Sequence, residues 1–326
     1  MKKSTMFRLV SLLMGCLFLS NVSTATQAQD YPNRVVRLVI PFPPGGSSDA
    51  TARVLADQLS KLWKSQVIIE NKPGAGTTIG AAYVAAAEPD GYTIYLNSVS
   101  HTIVPSLYSN LRYDPIKSFE HVSRVAQSPI LLLVHPSLGV NTVSELLELA
   151  RSKPGQLNFG TPGVGASPHL AGEMMIAATK IKAQHVPFNG AGPLANALLG
   201  KVVDFGFSDI SALPLVKEGT LKALAVTSVH RFPDLPDVPT VSETIQKGFE
   251  AINWNSILVP ARTPRDIVDF LNRSIVQVLG LPEVKRIYAA QGFEPTPSTP
   301  EELRELMTTE IEKYRAVVEQ AGIKQK

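Results

Sequence analysis

One pattern recurs at nearly fixed spacing along the chain and restricts its fold more than any other feature. Residues 35–80 read as strand, Gly-rich turn (Pro43-Pro44-Gly45-Gly46-Ser47), helix, strand, Gly-rich turn (Pro73-Gly74-Ala75-Gly76-Thr77), helix. Residues 157–200 repeat it, with Pro162-Gly163-Val164-Gly165-Ala166-Ser167 and then Asn189-Gly190-Ala191-Gly192-Pro193. Gly45 and Gly76 stand 31 residues apart, Gly163 and Gly192 29 apart. Units of this kind are βαβ units, which build open, mostly parallel sheets. The repeat predicts an α/β protein of two similar lobes. Each would present two Gly-rich turns at the carboxyl ends of adjacent strands, where open α/β sheets bind ligands.

Apolar runs extend the pattern. Strands are expected at 35–40, 67–70, 93–96, 131–134, 157–159, 183–186, 203–207 and 221–226, with helices at 50–62, 78–87, 143–150, 170–178 and 194–199. Asn141 is placed to cap a helix over 142–151, and Pro264 to open one running to about 279; beyond Arg262 the chain reads as helical to its end.

Residues 1–28 stand apart. Lys2, Lys3 and Arg8 precede an apolar stretch from Leu9 to Leu19, and Thr26-Gln27-Ala28 is a small-x-small cleavage site, the pattern of a secretory signal. The apolar stretch is short for a membrane span, which needs roughly 20 residues. Leu13-Met14-Gly15-Cys16 offers a lipoprotein alternative, against which Leu17-Phe18-Leu19 continue the apolar run past the cysteine. Cleavage removes the only cysteine, and with it disulfide and thiol chemistry. It also removes three basic residues and no acid; 31 less three leaves 28 basic against 28 acidic side chains. A formally neutral mature chain without a basic run gives no footing to nucleic acid.

A Gly-rich turn that opens a helix aims backbone N–H groups and the positive end of the helix dipole at one place, which suits an anion. The bland alternative is a tight turn with a Ser or Thr cap; four turns at matched spacings favour a ligand. Phosphate fits poorly. Gly160-Thr161-Pro162-Gly163-Val164-Gly165-Ala166-Ser167 has the P-loop glycines and serine, but Ala166 replaces the lysine that would neutralise a triphosphate. Gly74, Gly76 and Gly80 approach a dinucleotide fingerprint, yet the next strand ends in Asn97 where an acid should meet the ribose. Nor is there a Gly-x-Ser-x-Gly elbow or a His-Glu-x-x-His helix, and the histidines at 101, 121, 135, 169, 185 and 230 lack metal spacing. No metal or cofactor is implied. His101 and His169 each follow a Gly/Ser-rich turn and are candidates for ligand contact. Many backbone donors and few acid/base pairs suit binding without reaction.

The runs "YPNRVVRLVIPFPPGGSSDATARVLADQL", "VIIENKPGAGTTIGAAYVAAAEPDGYTI", "NFGTPGVGASPHLAGEM", "HVPFNGAGPLANALLG" and "LKALAVTS" together resemble the Bug receptors, the extracytoplasmic solute-binding proteins of tripartite tricarboxylate transporter systems. The resemblance covers essentially the whole mature chain. It implies a type II periplasmic-binding-protein fold, two lobes with a ligand cleft between them, a small carboxylate ligand, membrane permease subunits as partners, a periplasmic location, a monomer, and no enzyme activity. Carried over position by position, it implies first-lobe contacts from Phe42, Gly45, Gly46, Ser47, Asp49, Thr77, Thr78, Ser98 and Ser100. Second-lobe contacts would come from Thr161, Gly163, Ser167, His169, Pro187, Asn189, Gly190, Ala191 and Asp209. Asp49 and Asp209 have second readings as a helix cap and a solvated loop acid. Val99-Ser100-His101 stands where family members often carry Gly-Thr-His, which leaves the identity of the carboxylate open.

In such a fold the chain crosses twice between lobes, here near 126–130 and 251–255, with Trp254 beside a crossing. Lobe 1 is then expected to comprise 29–127 and 254–326, and lobe 2 128–253. An enzyme of similar two-lobed fold, separable by turnover, and a ligand sensor for a membrane signalling partner, separable by what it pulls down, are the competing readings.

Overall fold

The computed structural model describes residues 31–323; the signal sequence expected over 1–28 lies outside them. The chain opens with β1 (Val36–Ile40), α1 (Ser47–Trp63), β2 (Val67–Asn71), α2 (Thr78–Ala85), β3 (Thr93–Ser98), α3 (Ser100–Leu107) and the long β4 (Phe119–Pro129). It continues through β5 (Leu131–Val134), α4 (Val143–Ser152), β6 (Leu157–Thr161), α5 (Ser167–Thr179), β7 (Ala183–Pro187) and α6 (Ala191–Leu199). Then come β8 (Phe205–Ser208), α7 (Leu213–Lys217), β9 (Lys222–Val226) and α8 (Val241–Thr244). β10 (Ile252–Pro260), α9 (Arg265–Gly280), α10 (Pro282–Ala290), β11 (Glu294–Pro295) and α11 (Pro300–Gln320) complete it.

Two sheets result, ordered β11-β4-β10-β3-β1-β2 and β7-β6-β8-β5-β9. In each, a βαβ pair is parallel: β1 lies between β2 and β3, and β6 between β7 and β8. All eight strand candidates form, and the Gly-rich turns sit at the carboxyl ends of β1, β2, β6 and β7. By strand direction the sheets are mostly parallel, as expected; apart from the edge strand β11, the exceptions are β10, which runs antiparallel to both β3 and β4, and β5, antiparallel to both β8 and β9. Those strands carry the chain between sheets, and a chain that leaves a sheet and returns beside its own exit runs the opposite way. Beyond Arg262 the helical expectation holds except at Glu294–Pro295, which pairs with β4. Thr142, not Asn141, caps α4, its side chain accepting from the Glu145 amide at 3.2 Å.

Each sheet has its own core. Phe159, Phe205 and Phe207 pack under the second with Leu132, Leu146 and Met175; Tyr95, Trp254, Met307 and Tyr314 pack in the first. The chain passes from the first sheet to the second at Ile130 and returns through Ala251, and Thr227 joins the two passages. Its amide donates to the Ile130 carbonyl (3.0 Å), its carbonyl accepts from the Ala251 amide (3.1 Å), and its hydroxyl accepts from the Ile130 amide (2.9 Å) and contacts the Ala251 carbonyl. From Arg34 onward the chain is one compact unit. Among the described residues no helix is long and apolar enough to cross a membrane.

Candidate functional site

The first turn leaves β1 at Ile40 and enters α1 at Ser47. No side chain caps α1, and the first amide to find a helical partner is that of Ala50, on the Gly46 carbonyl at 3.0 Å. The amides of Ser47 and Ser48 are therefore offered outward with the positive end of the helix. Asp49 shapes the turn from behind. Its buried carboxylate accepts from the Gly45 amide (3.0 Å), Asn71 Nδ2 (3.1 Å) and Arg53 Nε (2.8 Å). Burial opposes its charge, but the hydrogen bonds from Arg53, Gly45 and Asn71 together hold its pKa below the usual carboxylate value. Gly45, at φ +87°, occupies backbone space a side chain would strain.

The second lobe mirrors this. α5 starts at Ser167 after Ala166 with no side-chain cap, and α6 starts at Ala191 after Gly190, also uncapped. The two turns before them are tied together: the Gly190 amide donates to the Pro162 carbonyl at 2.9 Å, and Phe188 to Thr161 at 2.9 Å. Thr161 and His169 act behind the turn. His169 Nδ1 accepts from the Gly165 amide (3.0 Å), its ring stacks on His185 with centroids 3.9 Å apart, and His185 Nε2 meets Thr161 Oγ1 at 2.6 Å.

Between these helix ends lies a cleft of about 570 Å³. Of the residues singled out from the sequence, Phe42, Gly45, Gly46, Ser47, Ser98, Ser100, Ser167, Ala191 and Asp209 line it. Thr77 lines an adjoining cavity. Asp49, Thr78, Thr161, Gly163, His169, Pro187, Asn189 and Gly190 line neither. His101 is placed elsewhere altogether: it is 1% exposed among the rings of Tyr95, Tyr113 and Phe119, with Nε2 on the Pro115 carbonyl at 3.0 Å. Burial lowers its pKa to about 4. A histidine that follows a turn in sequence has, as part of α3, rotated into the core.

Sequence reasoning missed the floor of the cleft. Asn253 and Asn255, two apart on β10, share one face, while Trp254 between them sends its indole the other way to Glu310, Nε1 to Oε2 2.8 Å. Asn255 Nδ2 donates to Ser48 Oγ at the start of α1 (3.1 Å), and Ser167 at the start of α5 donates to Asn253 Oδ1. One strand thus holds the uncapped ends of two helices from opposite lobes. Ser128 also lines the cleft, and its buried hydroxyl has no hydrogen-bond partner among the described residues. The alternation Asn-Trp-Asn was the available signal, since strand period 2 puts both amides on one side.

Among the described residues no lysine or arginine lines the cleft. The one charged side chain among the described residues that line it, Asp209, accepts from the Ser211 amide at 3.0 Å and from the Ser211 hydroxyl. Positive potential here comes from helix ends and amides, with hydroxyls and carboxamides as adjustable donors, which is the chemistry for a small oxyanion. Among the described residues no group of three His, Cys, Asp or Glu is placed to hold a metal.

Comparison with known proteins agrees with this geometry. A family model described as the tripartite tricarboxylate transporter family receptor matches residues 51–323. Protein BugT of Bordetella pertussis is 33% identical, over 98% of this chain and 99% of that one. The structure of the periplasmic binding protein BugD superposes with a TM-score of 0.79 at 34% identity, covering 91% of this chain and all (100%) of that one. That of an R. palustris protein with adipate gives 0.82 at 32%, covering 91% and 100%. The two lobes with uncapped helix ends facing one cleft are thus those of a solute-binding receptor, and the chain belongs to the tripartite tricarboxylate transporter receptor family.

Proposed function

We propose that this protein captures a small organic carboxylate in the periplasm, closes on it, and delivers it as a monomer to the membrane permease subunits of a tripartite tricarboxylate transporter, without chemical turnover. The observation that carries this reading is the cleft in which uncapped starts of α1, α5 and α6 converge and no basic side chain appears. Amides on opposite lobes can both contact the ligand only when the lobes are together, so ligand stabilises the closed state. The lobes exchange near 127/128 and 253/254, close to the passages at Ile130 and Ala251. Contacts are assigned to Gly46, Ser47, Ser98, Ser100, Ser167 and Ala191, with Ser48, Asn253 and Asn255 orienting them. Adipate in a relative of similar fold supports the ligand class.

Thermal unfolding against aliphatic and aromatic mono- and dicarboxylates, with the matching amides as controls, tests it. Carboxylates are expected to raise Tm in a saturable way, by the mass action of binding to the folded state, and to be recovered unchanged. A panel in which no acid shifts Tm, or in which an acid is consumed, would contradict it.

A further inference from the structure

Beside the polar cleft lies a second cavity of about 490 Å³, walled by Phe42, Val104, Leu107, Tyr108 and Val164, with no charged side chain among the described residues of its lining. Phe42, Pro43, Ser100 and Ala166 line both spaces, so Ala166, the residue just before α5, stands between the cleft and the apolar chamber. The chamber is built from both lobes. Val164 is half exposed at its lip, and beside it Gly165 lies so close to Leu107 that a Cβ there would sit 2.2 Å from Leu107 Cδ1.

We infer that this chamber receives the hydrocarbon body of the ligand, so that the protein selects carboxylates carrying a ring or a chain of several methylenes over short, hydroxylated acids. The inference rests on the carboxylate reading above. The carboxylate is satisfied at the helix ends, and carbon beyond it is removed from water against Phe42, Val104 and Val164. A hydroxyl or second carboxylate carried against Phe42, Val104 and Val164 would lose its water, the side-chain hydroxyls of this lining being those of Thr77, Ser100 and Tyr108. Because Val164 and Leu107 come from opposite lobes, filling the chamber also favours the closed state.

Calorimetric titration of the full-length exported protein with acetate, butanoate, hexanoate and benzoate tests this. Each methylene accommodated in an apolar pocket is commonly worth about tenfold or more, so hexanoate, two methylenes longer, is expected to bind about a hundredfold tighter than butanoate, and benzoate at least about tenfold tighter. Val104→Thr, which keeps shape but adds a hydroxyl, is expected to weaken benzoate about tenfold and leave butanoate unchanged. Val164→Thr, at the exposed lip, should show the same selectivity with no change in Tm, which covers the case in which the buried variant fails to fold. Affinity independent of chain length, or variants that weaken all acids alike, would overturn the chamber and leave the carboxylate reading standing. Binding of none of the four acids would overturn this inference, while the carboxylate reading falls only if the dicarboxylates of the thermal-unfolding panel fail as well.

Discussion

Thr227 shows how much of the architecture hangs on single polar side chains. It is fully buried, and its hydroxyl and backbone join both passages between lobes. Thr227→Val keeps the shape but leaves the Ile130 amide without its side-chain acceptor, a loss worth about 1–3 kcal/mol; urea unfolding should show it as a lower midpoint with an unchanged slope. His101 and His121 contribute to the acid limit, together with His185, whose pKa burial and the neighbouring His169 also lower to about 4. Burial lowers His101 and His121 to about 4, with Arg304 and His101 adding to the effect on His121. The unfolded chain takes up protons below about pH 6.5 while the folded chain refuses them until about pH 4. Stability is therefore intact above pH 6.5 and falls as pH drops toward 4, by up to about 3 kcal/mol for each ring. The same midpoint at pH 7 and pH 5 would contradict this, as would an equal slope in His101→Phe.

At the scale of elements, the start of α1 separates binding from folding. An acid in the first turn suits the helix dipole, so Ser47→Asp should hold or raise stability by about 0.3–1 kcal/mol, while its charge in the cleft repels an anion; carboxylate affinity should drop below detection in calorimetry. Unchanged affinity would move the ligand away from this turn. The βαβ elements were legible because their strands are continuous apolar runs and their turns are marked by glycine. β4 and β10 were not. Buried His121, Ser123, Ser128, Asn255 and Ser256 interrupt their apolar pattern, and for three of them tertiary partners make the burial tolerable: Ser123 pairs with Ser298, Asn255 with Ser48, and Ser256 with Asn97. The same strands supply the cleft floor, so the hidden elements and the missed site residues are the same residues. Conversely, Asp49, Thr161 and His169 carry the right residue types at the right turns but brace them from behind, a difference of side-chain direction that spacing alone does not encode.

The whole molecule brings its lobes together at two glycines. Gly165 meets Leu107 beside the chamber, and Gly292, next to Phe293, meets Ile210, next to Asp209; a Cβ at either would lie 2.2 Å from the facing side chain. Gly165→Ala should therefore weaken ligand binding by hindering closure. Gly139→Ala is the matched control, since both glycines have φ +76° but nothing lies within 4 Å of a Cβ at 139. Both variants should lose about 1–2 kcal/mol of stability to the left-handed backbone, and only Gly165→Ala should lose affinity. Equal affinities would separate this contact from closure. The central claim is that one anion is met by backbone amides from both lobes at once. Amide chemical-shift mapping of the 15N-labelled protein, titrated to saturation with the tightest-binding carboxylate, tests it most directly. The largest shifts are expected at Ser47 and Ser48 in one lobe together with Ser167 and Ala191 in the other, moving with a single affinity; shifts confined to one lobe would contradict it.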